Sequence, residues 1–245
     1  MNIDVVMITK NSLKPCLCES ITSIIRNIPL NKLIIIDSCS NDGTIESIKL
    51  FKNINIIIVQ NECGRGKARE IGMKNVETEW FAFIDSDVIL EENWFSNIEK
   101  NISDKIGAIE GNVKSADGKI QKIQQYMRGY TNCTLIRTNL VKDITIPFEI
   151  NVFEDQYIRK YIEKKNYIWL KVASPCSLHL SRSDRLKDAY EIGRWSSKYH
   201  LFPLWRYVTS FFLISIKRLS SREESLTRSL MLLKGYFKGL FEISE

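Results

Sequence analysis

Hydrophobic positions in this chain fall into short dense blocks, and between residues 1 and 90 the blocks alternate between two periods. Ile3 to Ile8 (I-D-V-V-M-I) reads as a first strand. Leu17, Ile21, Ile24, Ile25 and Ile28 then recur at helical spacing over Leu13 to Asn27, and Pro29 closes that helix. Leu33 to Ile36 is a second strand, after which Thr44 can open a helix over Ile45 to Phe51. Ile54 to Val59, a helix over Lys67 to Val76, and Trp80 to Ile84 complete a βαβαβαβ series. Such alternation predicts a parallel sheet with helices on both faces, and near-continuous apolar strands are the kind buried on both sides.

The second half changes character. A helix is predicted over Glu91 to Ile102, strands over Ile106 to Val113 and Asn132 to Arg137, and a turn at Asp117-Gly118. Glu154-Asp155 opens an amphipathic helix carrying Tyr157, Ile158, Tyr161 and Ile162, and Tyr167 to Val172 is a strand leading to Pro175 and His179. From Arg182 the pattern is helical. The uncharged stretch Tyr207 to Ile216 is 10 residues, against the roughly 20 that a bilayer crossing needs. Leu226, Leu230, Leu233, Phe237 and Leu240 share one face of the last helix, with Arg228, Lys234 and Lys238 off it.

Charge sharpens this division. From Ser181 to Glu245 there are 12 Lys+Arg against 7 Asp+Glu, while the preceding 180 residues hold 23 against 22. A neutral body with a basic tail points to an anionic surface partner for 181–245, a membrane or a polyanion. The last helix reads first as one lying in the plane of a membrane with its cations on the polar side, and its plainer readings are an element that covers the sheet or a dimer interface. The six cysteines show no CxxC pair and no zinc spacing, which predicts reduced thiols. Met1 to Ile8 is already a strand pattern with Asp4 inside it, so it does not read as a secretory leader.

The polar loops at the strand ends carry the candidate chemistry. The apolar run from Trp80 stops at Asp85-Ser86-Asp87, and ligands of parallel sheets bind outside the carboxyl ends of the strands. Two carboxylates there form a hard-oxygen site suited to Mg²⁺ or Mn²⁺. The first loop, Thr9 to Ser12, lacks G-x-G-x-x-G, and Gly64-Arg65-Gly66-Lys67 lacks the spacing and Ser/Thr of a P-loop.

Four pieces, V-V-M-I-T-K-N, I-I-I-D-S-C-S-N-D-G-T, N-E-C-G-R-G-K-A-R-E-I-G and F-I-D-S-D, stand in order, each at a strand end. Together they resemble family 2 glycosyltransferases of the GT-A fold, over roughly Ile3 to His179. The resemblance implies an α/β fold with a mixed, mostly parallel sheet flanked by helices, to which the helical pattern from Arg182 adds a C-terminal helical appendage. It divides the chain into a domain at 1–180, with a nucleotide-binding half at 1–90 and an acceptor half at 91–180, and the basic amphipathic tail at 181–245. By resemblance, Asp37 contacts the nucleotide base, and Thr9 and Asn11 line the nucleoside pocket. Arg65, Lys67 and Arg69 face the diphosphate or sugar, and Asp85 and Ser86 the ribose or sugar. Asp87 holds the metal, joined by His179. Glu154-Asp155 resembles the E-D acceptor motif, with Asp155 as catalytic base. Glu191-Ile192-Gly193-Arg194-Trp195 resembles the Q-x-x-R-W of processive members, which makes Arg194 and Trp195 weaker acceptor candidates.

The sequence departs from the pattern in three places: Ile8 replaces a proline, Asp37-Ser38-Cys39-Ser40 replaces D-D-G-S, and Glu70 stands where Asn is common. The second removes a carboxylate and leaves the base open. Each residue also has a plainer reading: His179 as a strand-end histidine, Asp155 as a first-turn acid favoured by the helix dipole, Arg65 and Lys67 as a solvated turn. The expected activity is metal-assisted, inverting transfer from a UDP- or GDP-sugar to a saccharide, a lipid-linked saccharide or a lipid phosphate. No nucleic-acid partner is expected, and the expected place is the cytoplasm, peripheral on the inner membrane face. Two rivals are a nucleotidyltransferase, which would need a glycine-rich loop after the first strand, and a non-catalytic nucleotide-sugar-binding scaffold.

Overall fold

The computed structural model describes residues 1–120, 128–180, 186, 188–216 and 222–242. The chain divides into two compact units, Met1–Asn151 with Ile158–Ser181, and Val152–Tyr157 with Arg182–Glu245.

In the first unit the strands are β1 (Ile3–Thr9), β2 (Leu30–Asp37), β3 (Ile56–Gln60), β4 (Trp80–Ile84), β5 (Val88–Ile89), β6 (Ile106–Ser115), β7 (Cys133–Arg137) and β8 (Ile168–His179). They form one sheet in the order β3-β2-β1-β4-β7-β6-β8-β5. The four strands from β3 to β4 are parallel. β7 runs antiparallel between β4 and β6, β6 and β8 are parallel, and β5 is antiparallel to β8. The sheet is therefore mixed and mostly parallel, as the resemblance implied.

Every residue of β4 is buried. Trp80, Ala82 and Ile84 join Leu33, Ile35 and Ile109 in one core, packed by α1 (Leu17–Asn27) and α4 (Trp94–Glu99). Alternation turns Phe81 and Phe83 to the opposite face, where α3 (Arg65–Asn75) runs. The remaining helices are α2 (Thr44–Ile48) and, from Ile158 on, α5 (Glu154–Lys164). Burying a row of large aliphatic and aromatic side chains at about 1.5–3 kcal/mol each is what holds such a sheet together.

Some boundaries differ from the sequence reading. α1 starts at Leu17 rather than Leu13, because the Ser12 and Leu13 amides are drawn to Thr44 Oγ1 and Asp42 Oδ2 at 2.8 and 3.0 Å. α4 is shorter than Glu91 to Ile102. β8 continues past Val172 to His179, with a register shift opposite Gly111. β5 has two residues and leaves no periodic trace.

Two glycines show why the G-R-G-K turn is spelled as it is. A Cβ on Gly64 would overlap the Asn151 amide, and one on Gly66 would overlap the Ile150 carbonyl oxygen. The 146–151 segment rests directly on the start of α3. Gly66→Ala is expected to destabilise by about 1–3 kcal/mol through that overlap. The helix-propensity gain of about 1 kcal/mol acts the other way and is smaller. The midpoint of urea unfolding checks it, and an unchanged or higher midpoint would remove the packing argument.

The second unit holds α6 (Ala189–Lys198), α7 (Leu204–Ile216) and α8 (Arg222–Leu240). Its core is Ala189, Trp195, Leu201, Phe202, Tyr207, Leu232 and Tyr236, joined by Val152, Phe153 and Tyr157. The ring of Phe153 lies 5.5 Å from Phe202 and that of Tyr157 lies 5.7 Å from Tyr199. Those aromatic contacts place residues 152–157 in this unit, although the sequence pattern grouped them with the sheet.

Candidate active site

The loops that follow β1 and β2 are sewn together by short polar side chains. Asp37, at the end of β2, is fully buried. Its Oδ1 accepts from Thr9 Oγ1 at 2.7 Å and Ser40 Oγ at 2.6 Å, and its Oδ2 accepts from the Ser40 amide at 2.9 Å and Gln60 Nε2 at 3.5 Å. Burial raises the Asp37 pKa, but the hydrogen bonds from Ser40, Thr9 and Gln60 outweigh it and hold the carboxyl below its ordinary value. Asn11, at φ 50°, donates its amide to Ser40 Oγ at 2.8 Å and accepts the Asn41 amide on its side chain at 2.9 Å. Asp42 accepts from the amides of Leu13 and Thr44, at 3.0 and 3.1 Å. Thr9, Asn11 and Asp37 are thus one cluster, and the residues that hold it, Ser40 and Gln60, were not singled out from the sequence.

α3 supplies the cations. Arg69 is 5% exposed, lies 5.0 Å over the Phe83 ring, and donates from Nη2 to Asp85 Oδ1 at 3.1 Å. Arg65 donates from Nε to the Asn151 carbonyl at 2.9 Å, on the segment that rests on Gly64 and Gly66. The Lys67 ammonium pairs with Glu70 at 2.8 Å, and Lys74 meets the same oxygen at 2.5 Å. The other oxygen of Glu70 accepts the Ile146 amide at 3.0 Å. Glu70 therefore joins Arg65 in tying α3 to the 146–151 segment, and its spelling inside a helical run gave no hint of it.

Asp85, Ser86 and Asp87 form the turn between β4 and β5. The Asp85 amide extends the ladder to the Asn132 carbonyl at 3.0 Å, and the Val88 amide closes the turn on the Asp85 carbonyl at 3.1 Å. Because Val88 pairs with His179 across the antiparallel β5–β8 ladder, Asp87 and His179 arrive side by side, with Asp87 Oδ2 3.3 Å from His179 Nε2. The hydrogen bond to Asp87 is the main cause that raises the His179 pKa. Burial opposes it, and the charges of Asp87 and Asp85 add to it. Cys16 donates a long Sγ hydrogen bond of 3.9 Å to the Ser86 carbonyl. Burial, with Asp87 and Glu19 nearby, pushes its thiol up to about 11, which favours the thiol over the thiolate. All six cysteines are free.

A carboxylate oxygen and an imidazole nitrogen at this spacing fit a divalent cation. Two neighbouring ligands of an octahedral ion, each about 2.1 Å from it, lie about 3 Å apart. Among the described residues no three His, Cys, Asp or Glu side chains gather around one metal position.

Glu154 and Asp155 stand in the first turn of α5, in the second unit. Glu154 is buried, and Asp155 Oδ1 accepts the Gln156 amide at 2.7 Å. Arg194 and Trp195 belong to the same unit. The Arg194 Nε donates to Glu242 at 2.8 Å while its guanidinium lies 4.5 Å over the Trp195 ring, and Trp195 is buried in the aromatic core.

A family model described as "Glycosyl transferase family 2" matches residues 4–163. The poly(ribitol-phosphate) β-N-acetylglucosaminyltransferase TarS of Staphylococcus aureus (strain MW2) is 26% identical over 146 residues. That match covers 51% of this chain and about a quarter (26%) of the relative's length. The crystal structure of TarS residues 1–349 with UDP-GlcNAc aligns with a TM-score of 0.66 at 19% identity, over 94% of this chain and 72% of that one. The mannosyltransferase PcManGT of Pyrobaculum calidifontis, with GDP-Man and Mn²⁺, aligns with a TM-score of 0.70 at 12% identity, over 98% and 87%. The similarity to these structures is one of fold. With residues 4–163, well over half of its length, matched by that family model, the chain belongs to glycosyl transferase family 2.

Proposed function

We propose that this chain is a metal-assisted glycosyltransferase that moves a sugar from a UDP- or GDP-sugar to a saccharide, lipid-linked saccharide or lipid-phosphate acceptor, with inversion. The observation that carries this reading is the Asp87–His179 pair, 3.3 Å apart at the carboxyl end of β4 and beside the Arg69–Asp85 ion pair. Family membership and two structural relatives, one with UDP-GlcNAc and one with GDP-Man and Mn²⁺, support it.

Breaking a sugar–diphosphate bond leaves negative charge on the departing phosphate, and a bound Mg²⁺ or Mn²⁺ supplies the charge to stabilise it. Asp87 and His179 would hold that ion, with diphosphate oxygens and water completing its shell. Arg69, fixed between the Phe83 ring and Asp85, brings a cation to the same edge without needing to reorganise. The loop cluster of Thr9, Asn11 and Asp37 is the proposed nucleoside support. Asp155 is the proposed base for an acceptor hydroxyl. Displacement with a base on the side opposite the leaving group inverts the anomeric centre and needs no enzyme nucleophile.

A thermal-shift panel of UDP, GDP, CDP and dTDP, each with and without Mn²⁺, tests the donor side. A nucleotide at a hundredfold excess over its dissociation constant stabilises by about 2.7 kcal/mol. One nucleotide shifting the melting temperature only with Mn²⁺ is the expected result, and none shifting would remove the reading. With the matching sugar nucleotide, Asp155→Asn is expected to lower transfer to a hydroxyl acceptor by about 10²–10⁴-fold. Full activity of that variant on a hydroxyl acceptor would remove Asp155 as base.

A further inference from the structure

We propose that the outward face of α8 is a docking surface for an anionic lipid membrane, on which it lies in the plane of the headgroups. The rotational setting of α8 is fixed from the inside. A Cβ on Gly235 would overlap the Tyr190 carbonyl of α6, one on Gly239 the Arg194 carbonyl, and one on Gly193 the Leu232 carbonyl of α8. Ser229, Leu232 and Tyr236 are buried on the same side. Two helices this close cannot roll to bring another face inward.

That setting turns large apolar side chains out. Leu230 is 55% exposed, Phe237 49%, Leu240 54% and Phe241 83%. At 3.6 residues per turn these four span an arc of about 100°. Lys234 and Lys238, both exposed, occupy the next 60° or so of the helix surface. Among the described acids of this segment, Glu242 borders the lysines, is held by Arg194 at 2.8 Å and meets Lys238 only at 3.9 Å. An apolar stripe edged by lysines on long flexible stems is the pattern that sinks about 5–10 Å into the headgroup region while its ammonium groups reach lipid phosphates.

Charge decides between a bilayer and a second copy of the chain. The tail from Ser181 carries 12 Lys+Arg against 7 Asp+Glu, so a self-complementary contact through this arc would bring lysine rows together. An anionic leaflet gains from the same lysines, roughly fivefold in affinity for each. Four exposed apolar side chains supply the penetrating part. No helix of the described residues is long and apolar enough to cross a membrane, so the docking is on the surface. It does not depend on which sugar is moved.

The full chain is tested by co-sedimentation with vesicles of phosphatidylcholine alone and of phosphatidylcholine with phosphatidylglycerol. Binding to the anionic vesicles is expected, with weak binding to the neutral ones. Phe237→Glu with Phe241→Glu is expected to abolish it, and Lys234→Gln with Lys238→Gln to weaken it about thirtyfold. All four positions are exposed, and circular dichroism and the thermal shift with nucleotide check that the variants stay folded. Failure of the wild-type chain to bind anionic vesicles overturns the proposal, as does binding that neither variant changes. A lipid-free dimer in light scattering that the phenylalanine variant dissolves assigns the face to a second copy and overturns it as well.

Discussion

Asp87→Asn is expected to lower kcat/KM by about a thousandfold or more and to remove the Mn²⁺ dependence of nucleotide binding, with the fold unchanged. Loss of one charge-stabilising group aimed at a developing negative charge costs on the order of 10²–10³ in rate. Here the group lost would also be the anionic half of a two-donor grip on the metal. An amide oxygen keeps the shape of Asp87 but offers no charge, and the His179 imidazole alone is a poor match for a hard cation. The variant also changes His179. In the metal-free protein the hydrogen bond to Asp87 raises the His179 pKa above its ordinary 6.5. A raised folded value contributes stability that is fully present below the unfolded pKa and is lost as pH rises through the folded one. Asp87→Asn should therefore flatten the melting temperature of the metal-free protein across the histidine titration range, about pH 5 to 8. A variant that kept its Mn²⁺-dependent nucleotide shift and more than a tenth of its rate would take Asp87 out of the metal site.

The parts of this site that sequence alone makes legible are the ones written in consecutive residues. The apolar run Trp80 to Ile84 stops at Asp85-Ser86-Asp87, and the structure puts that stop at the carboxyl edge of the sheet because all five residues before it are buried. His179 is different. Its place beside Asp87 depends on β5, a strand of two residues whose pairing carries no periodic signal, so family resemblance pointed to it where spacing could not. The partners of Asp37 were illegible for a related reason. Ser40 and Gln60 reach it from a loop and from the end of a neighbouring strand, and nothing in either local pattern marks them. Lys67 shows the limit from the other side. Its position at the start of α3 suggests a phosphate contact, while its ammonium is paired with Glu70 at 2.8 Å. An ion pair three residues apart on a helix looks the same in sequence whether it is solvated or, as here, anchored on a carboxylate that also holds the Ile146 amide. In the tail, the apolar face of α8 was visible as a repeat. The glycine contacts with α6 set that face so that Leu230, Phe237 and Leu240 point outward while Leu233 still packs on the core.

Lys171→Met is expected to destabilise the protein by about 3–5 kcal/mol, the usual result of removing one partner of a buried ion pair. Lys171 and Glu110 are 2% and 1% exposed, with Nζ 2.8 Å from Oε1. The second oxygen of Glu110 accepts from Trp169 Nε1 at 3.0 Å and from the Gly129 and Tyr130 amides at 2.6 and 3.2 Å. The carboxylate is thus the centre of a network that fastens the 129–130 backbone to the sheet. Without the ammonium it remains buried with three donors and no counter-charge. Strand register runs from Lys171 through Glu110 and Thr134 to Phe83, two residues before Asp85. A disturbance there lies in the row beneath the candidate active site. The neutral double variant Glu110→Gln with Lys171→Met should recover much of the loss, because it removes both desolvated charges together. Urea unfolding of the two variants gives the comparison through their midpoints at unchanged slope. If Lys171→Met alone cost less than about 1 kcal/mol, within the range of a solvated surface pair, the network would be decoration rather than support. If the double variant were stable but slow, the pair would be holding residues 128–131 for the reaction and not for the fold.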